Sequence, residues 1–248
     1  MNARQVSTFK PQAREPWLLA VGLPLVLVAV ACTVPSRSAS QASEQSAANR
    51  DFGFASLLGG ETKQLIVSQT VPRGGRHWIV DISSDGATLF DSYDWDLGRE
   101  EVCVHDFDGD GISEISMLLT SFWGFGAMSM AESPMRDVVF KYEANVRKYM
   151  PDKSAFLRGL TDIDEDVRKI DPNENPREGS KGSYLATRLD ILLRYVYAGR
   201  DSYGWSFFDR AYNLTHKRDV KREIKRILDS EPVYRYVYGL QPLKRHSL

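Results

Sequence analysis

From residue 63 onward the apolar positions follow the two-residue period of a half-buried strand. "KQLIVSQTV" (63–71) is rich in β-branched residues, and "RHWIVDIS" (76–83) and "ATLFDSYD" (87–94) flank Ser84-Asp85-Gly86, which predicts a hairpin. "EVCVHD" (101–106) sets Val102 and Val104 on one face and Cys103 and His105 on the other. "ISMLLTSFW" (115–123) and "RDVVFKYE" (136–143) extend the meander, with the turn-forming "GFGA" (124–127) between them. Past residue 182 the period becomes helical. Leu185, Leu189, Leu192 and Val196 share a helix face that Gly199 would close, and "SYGWSFFDRAY" (202–212) turns Trp205, Phe208 and Tyr212 inward. "KRDVKREIKRILDS" (217–230) aligns Val220, Ile224, Ile227 and Leu228 before Pro232, which is expected to stop the helix. "DPNENPREGSKG" (171–182) reads as a loop. The expectation is an α+β fold, with a small antiparallel β domain at 51–150 followed by a mainly helical region at 151–248.

The N-terminal pattern belongs to neither half. Arg4, Lys10 and Arg14 precede "WLLAVGLPLVLVAVA" (17–31), 15 uncharged residues that end in the small-x-small site Ala29-Val30-Ala31. A basic head, a short apolar stretch and such a site are the parts of a secretory signal over 1–31. Cys32 follows at once, so "AVAC" resembles the lipobox of bacterial lipoproteins, although Ala29 stands where leucine is usual. That resemblance implies lipidation of Cys32 and an address in the bacterial cell envelope, anchored by lipid in the periplasm or at the outer membrane. Simple secretion and an uncleaved N-terminal anchor are the alternatives. Trp17 to Val34 is 18 residues with Pro24 inside, near the lower limit for ~30 Å of hydrocarbon. "TVPSRSASQASEQSAANR" (33–50) holds no aromatic residue and too little apolar area to order itself, so 32–50 reads as a tether.

Composition narrows the class only modestly. The 248 residues are 42% hydrophobic and carry a net charge of −1, which argues against a polyanion-binding protein as a whole. Loss of residues 1–31, with three basic and one acidic side chain, would shift the net charge to −3. With Cys32 lipidated, Cys103 is the other cysteine, so no disulfide framework can be drawn, and a thiol in an exported protein is expected to be buried. No Cys/His spacing suggests zinc.

One stretch carries chemistry. "HDFDGDGISEI" (105–115) places Asp106, Asp108, Asp110 and Glu114 within nine residues, with Gly109 and Gly111 interleaved. Carboxylates at that density repel one another unless a cation neutralises them. A hard cation such as Ca²⁺ takes six to eight oxygen ligands at about 2.3–2.6 Å. The D-x-D-x-D-G spacing turns three carboxylates inward, Gly111 permits the bend, and the Ile112 carbonyl can add a ligand. The loop is not an EF-hand, because the twelfth residue from Asp106 is Met117 rather than glutamate. Glu114, at the ninth position, is the better final ligand.

This D-x-D-x-D-G-x-x-E arrangement between two strands resembles the calcium loops of FG-GAP and VCBS-type β-repeat domains. The resemblance rests on Asp106, Asp108, Asp110, Gly111 and Glu114, and more loosely on "FWGFGA" (122–127). It implies Ca²⁺ held in a loop of an extracellular or cell-surface protein. It does not imply a propeller, since the chain has one clear copy and no convincing internal repeat; "TDIDEDVRKI" (161–170) echoes the acidic loop but lacks its glycines. "VCVHDFDGD" also resembles the nucleophile motif of haloacid-dehalogenase-type phosphatases. In that alternative Asp106 attacks phosphorus, Asp108 shuttles the proton and Mg²⁺ neutralises charge, with Thr120 or Ser121 and Asp162 or Asp164 as distant helpers. Asp110 sits where that motif has Thr or Val, and the next strand follows too soon for a doubly wound fold.

Other candidates are weaker. His77, His105, His216 and His246 lack a nucleophile partner, and His105 is expected to be half-buried on its strand. The basic run at 217–226 is broken by Asp219 and Glu223 and reads as a solvated helix face with some capacity for anionic lipid. Trp95 and Trp123 fall near loops, where an aromatic ring can bind a glycan or a protein partner. The sequence therefore predicts an exported, lipid-anchored binding or assembly module with a structural Ca²⁺ loop. It is attached to a membrane through its N-terminal lipid and takes no nucleic acid. The enzyme alternative is a metal-dependent phosphohydrolase on the same loop.

Overall fold

A computed structural model describes residues 49–71, 74–83, 86–97 and 102–241. The lipobox cysteine, the signal-like segment and the tether up to residue 48 lie outside them. The architecture is α+β, with two four-stranded antiparallel sheets followed by a helical C-terminal half. The first sheet has the order β1 (Asn49–Ala55), β2 (Gln64–Val71), β3 (Gly74–Asp81), β4 (Thr88–Asp91). The second has the order β5 (Cys103–His105), β6 (Glu114–Leu119), β7 (Arg136–Glu143), β8 (Lys148–Pro151). Both are meanders in which each strand pairs with the next in sequence.

Strand β1 begins at Asn49, inside the stretch read as tether. Its register on β2, with Phe52 opposite Val67 and Gly53 opposite Ile66, supplies an order that its own composition does not. The "ATLFDSYD" strand is shorter than expected. After Asp91 the chain turns through a 3-10 segment, Ser92–Trp95, because the Asp91 carboxylate caps it by accepting from the Tyr93 amide. This turn wedges Trp95 against Phe140 of β7, at 5.4 Å between ring centroids. Phe90 of β4 meets the same ring edge-on at 5.0 Å, so Phe140, fully buried, joins the two sheets.

The helices are α1 (Lys153–Arg158), α2 (Ile163–Lys169), α3 (Lys181–Tyr197), α4 (Asp201–Ala211), α5 (Lys217–Ser230) and α6 (Pro232–Val237). The segment 161–170, which echoes the acidic loop in sequence, holds helix α2. Its Asp164, Glu165 and Asp166 lie in the first turn, where they complement the helix dipole, and Ile163 supplies the buried anchor. Helix α3 is the central element. Leu185, Leu189, Leu192 and Val196 are all buried, and Gly199 follows with the positive φ of 73° expected of a C′ residue. Arg188 on this helix is also buried and is satisfied entirely by the protein. It donates to the carbonyls of Tyr184, Ala211 and Asp171 and to Glu174 Oε2 at 2.7 Å, tying α3 to the end of α4 and to the loop before α3.

Pro232 does end the preceding helix, but it also starts another. It occupies the first turn of α6, where its missing N–H costs nothing, and Glu231 caps that helix by accepting from the Val233 and Tyr234 amides at 3.0 and 2.8 Å. Glu231 is buried and also accepts from the Tyr197 hydroxyl at 3.1 Å. Burial pushes its carboxyl up to about 7. The folded state therefore holds this proton more tightly than the unfolded chain, and stability must fall as pH rises between about 4.5 and 7. Urea titrations across that window are expected to show this fall in the native chain and a flatter profile in Glu231→Gln. Equal slopes would contradict the assignment.

Candidate metal centre

The acidic loop links β5 to β6, and its shape is set by its own carboxylates accepting backbone N–H groups. Asp106 Oδ1 accepts from the Gly109 amide at 2.7 Å and Oδ2 from the Gly111 amide at 3.0 Å. Asp108 Oδ1 accepts from Asp110 N at 3.2 Å, and Asp110 Oδ1 from Ile112 N at 2.8 Å. Gly109 and Gly111 have φ of 77° and 85°, a region that side chains with a Cβ avoid. Glu114 opens β6 and is 3% exposed; its Oε2 accepts from the Phe107 amide at 2.8 Å, closing the loop on itself.

The arrangement brings Asp106, Asp108 and Glu114 together, with one oxygen of each within 4.8 Å of the others. Two ligands of an ion with 2.3–2.6 Å bonds lie at most about 5.2 Å apart, so oxygens within 4.8 Å of one another are close enough to share one such ion. Glu114 Oε1 is buried and accepts no hydrogen bond. The donors are all hard oxygens, so the residues present fit a hard divalent cation. Asp106, Asp108 and Glu114 would hold it, with water filling the open positions. Asp110 is not part of this triad, and its Oδ1 accepts from the Ile112 amide.

A residue that the motif does not contain completes the electrostatics. Lys141 on β7 lies across from Glu114, because Phe140 pairs with Ile115 in the β6–β7 register. Its ammonium bonds Asp108, lies 2.9 Å from Asp110 Oδ2, and is 3.7 Å from Glu114 Oε1. The hydrogen bonds that Lys141 donates to Asp108 and Asp110 hold its pKa well above the usual lysine range. The same contact, with the Ile112 amide, lowers that of Asp110. The chain thus carries a tethered cation at the rim of its own carboxylate cluster. No local spacing reveals Lys141; the β6–β7 register does.

The loop is braced from the first sheet. Ser113 N donates to the Leu57 carbonyl at 2.7 Å, Leu57 N donates to the buried Gln64 Oε1 at 2.8 Å, and the Tyr149 hydroxyl donates to the Ser113 carbonyl at 3.0 Å. Gly59, with φ of 73°, lies so close that a Cβ there would sit 3.1 Å from the Gly111 carbonyl oxygen. The segment between β1 and β2 therefore rests on the acidic loop.

The remaining site expectations divide. Trp95 lines a cleft of about 900 Å³ with Tyr93, Asp94, Asp96, Lys153 and Tyr236, where the first sheet's 3-10 turn faces α1 and α6. Its ring meets Tyr236 edge-on at 5.7 Å. Trp123 is half-buried, and its indole N–H donates to the Met130 carbonyl at 3.0 Å, a contact that folds its own loop. Cys103 and His105 are exposed, not buried or half-buried, because Val102 and Val104 take the core-facing side of this edge strand. Asp162 and Asp164 lie with helix α2, outside the carboxylate cluster. No family model matches the chain, and no curated protein or solved structure matches it. No helix among the described residues is long and apolar enough to cross a membrane.

Replacing Lys141 by methionine removes the tethered charge from the rim of the cluster, a loss of up to about 1 kcal/mol for a pair this exposed to solvent. In chelator the Lys141→Met chain is expected to melt a few degrees below the native chain. An unchanged melting temperature would mean that the ammonium does not neutralise the loop.

Proposed function

We propose that the protein is an envelope-anchored binding or assembly module whose β5–β6 loop takes Ca²⁺ as a structural ion. The observation that carries this reading is the buried Oε1 of Glu114, left without a hydrogen bond beside Asp106 and Asp108. A buried carboxylate oxygen without a partner is costly, and a divalent cation removes that cost. Because the loop is braced through Leu57 and Tyr149, an ion there would stiffen the junction between the two sheets. The cleft beside Trp95 falls within the size range that small ligands occupy and is the place we assign to the glycan or protein partner. Attachment through lipidated Cys32 would hold this surface at the membrane.

The phosphohydrolase alternative gains nothing from this geometry. Both oxygens of Asp106 accept loop amides rather than facing an open substrate site, and the chain enters an antiparallel strand directly after the loop.

The test is thermal melting of the full chain after chelation, with Ca²⁺ or Mg²⁺ then added back. Ca²⁺ at a hundred times its dissociation constant should stabilise the fold by about 2.7 kcal/mol, a rise of a few degrees. Asp108→Ala should abolish the rise. A selective response to Mg²⁺ would favour the phosphohydrolase instead, and no response to either ion would remove the metal reading.

A further inference from the structure

An antiparallel sheet with one face on the core is expected to turn polar side chains outward. The first sheet does the reverse over two adjacent rows. Its inner face carries Ile66, Ile79 and the buried Gln64, His77 and Asp81. On the outer face Phe52, Val67 and Trp78 form one cross-strand row, and Phe54, Leu65 and Val80 form the next. Phe52 and Phe54 are 64% and 62% exposed, and Ile82, just beyond β3, is 52% exposed. None of the six belongs to the core cluster. In the next row Arg76 stacks its guanidinium over the Trp78 ring at 4.5 Å and is paired with Asp91.

Apolar side chains clustered in adjacent rows, instead of scattered singly, point to a contact surface even where the patch is small. Three strands about 4.8 Å apart and two rows give a patch of roughly 200 Å². That is well short of the ~800 Å² per partner of a stable protein–protein interface. It does suit shallow insertion into a bilayer, where a few aromatic rings beside a basic side chain settle at the level of the headgroups. Chain geometry points the same way. The face begins on β1, the first described strand, and only residues 33–48 separate that strand from Cys32. Sixteen residues reach at most ~55 Å even at full extension, so an anchored Cys32 would keep β1 within that distance of the membrane.

We propose that the outer face of the first sheet, centred on Phe52, Phe54 and Trp78, docks on the lipid bilayer. The inference rests on the N-terminal membrane attachment proposed above, which would hold β1 next to the bilayer. Docking would set the orientation of the whole body, so the anchor would deliver the domain in one pose instead of leaving it to tumble.

The test combines flotation with hydroxyl-radical labelling of the full, lipidated chain on vesicles of phosphatidylethanolamine and phosphatidylglycerol. The chain should float with the vesicles. Oxidation of Phe52, Phe54 and Trp78 should drop several-fold relative to the free protein, while Tyr203, 68% exposed on α4, stays reactive. A Phe52→Ser/Phe54→Ser chain should still float, with Trp78 labelled as in solution. A chain that floats while Phe52, Phe54 and Trp78 remain fully reactive overturns the docking and leaves the attachment standing. Failure to float overturns both. Protection that rises with protein concentration in the absence of vesicles assigns the face to a second copy and overturns the bilayer.

Discussion

Four carboxylates within nine residues cannot share one loop unless their charge is answered, and the geometry between the two sheets follows from how this chain answers it. Backbone amides take up the first share: Asp106, Asp108, Asp110 and Glu114 together accept five of them, and those bonds define the path of the loop. The ammonium of Lys141 takes up the second. Glu114 Oε1, 3.7 Å from that ammonium, still accepts no hydrogen bond. Amides fix shape, a tethered ammonium supplies a single charge at one edge, and the buried remainder is what a divalent cation would satisfy. In this account the ammonium and the ion compete for the same oxygens. The chain can then fold before it meets the ion and tighten afterwards.

The same loop is why the two sheets meet as they do. The β1–β2 segment lies on it through Leu57 and Gly59, and β8 reaches it through Tyr149. Phe140 packs between Phe90 and Trp95 a few residues from Lys141, so the neutralised loop and the aromatic junction share strand β7. The cleft that Trp95 lines adjoins that junction, since the same ring packs on Phe140. The apolar face on β1–β3 and the cleft are two surfaces of the one body that the loop and the aromatic junction hold together.

Much of this was legible in the sequence, and the misses have physical reasons. Period-two runs located β2, β3, β6 and β7, and the helical period located α3, α4 and α5, because each buries one face against the core. Helix α2 was not foreseen because Asp164 and Asp166 suit a helix N-terminus as well as they suit a metal loop. Strand β1 was missed because its two phenylalanines point outward and its order comes from pairing with β2. Asp106, Asp108 and Glu114 could be named from spacing alone, since the loop is local. Asp110 was named from the same spacing, and in the fold it pairs with Lys141, which could not be foreseen because it depends on which strand lies beside β6. Cys103 was expected inside, but a thiol on the outer side of an edge strand follows strand alternation and not the preference of its side chain.

The most direct test of the central claim is calorimetric titration of Ca²⁺ into the native chain and the Lys141→Met chain. If ammonium and ion compete for the Asp108 and Glu114 oxygens, the native chain binds one Ca²⁺ and the variant binds it several-fold more tightly. Equal affinities would show that Lys141 lies outside the site, and no binding heat in either chain would leave the loop a polar turn neutralised by its own lysine.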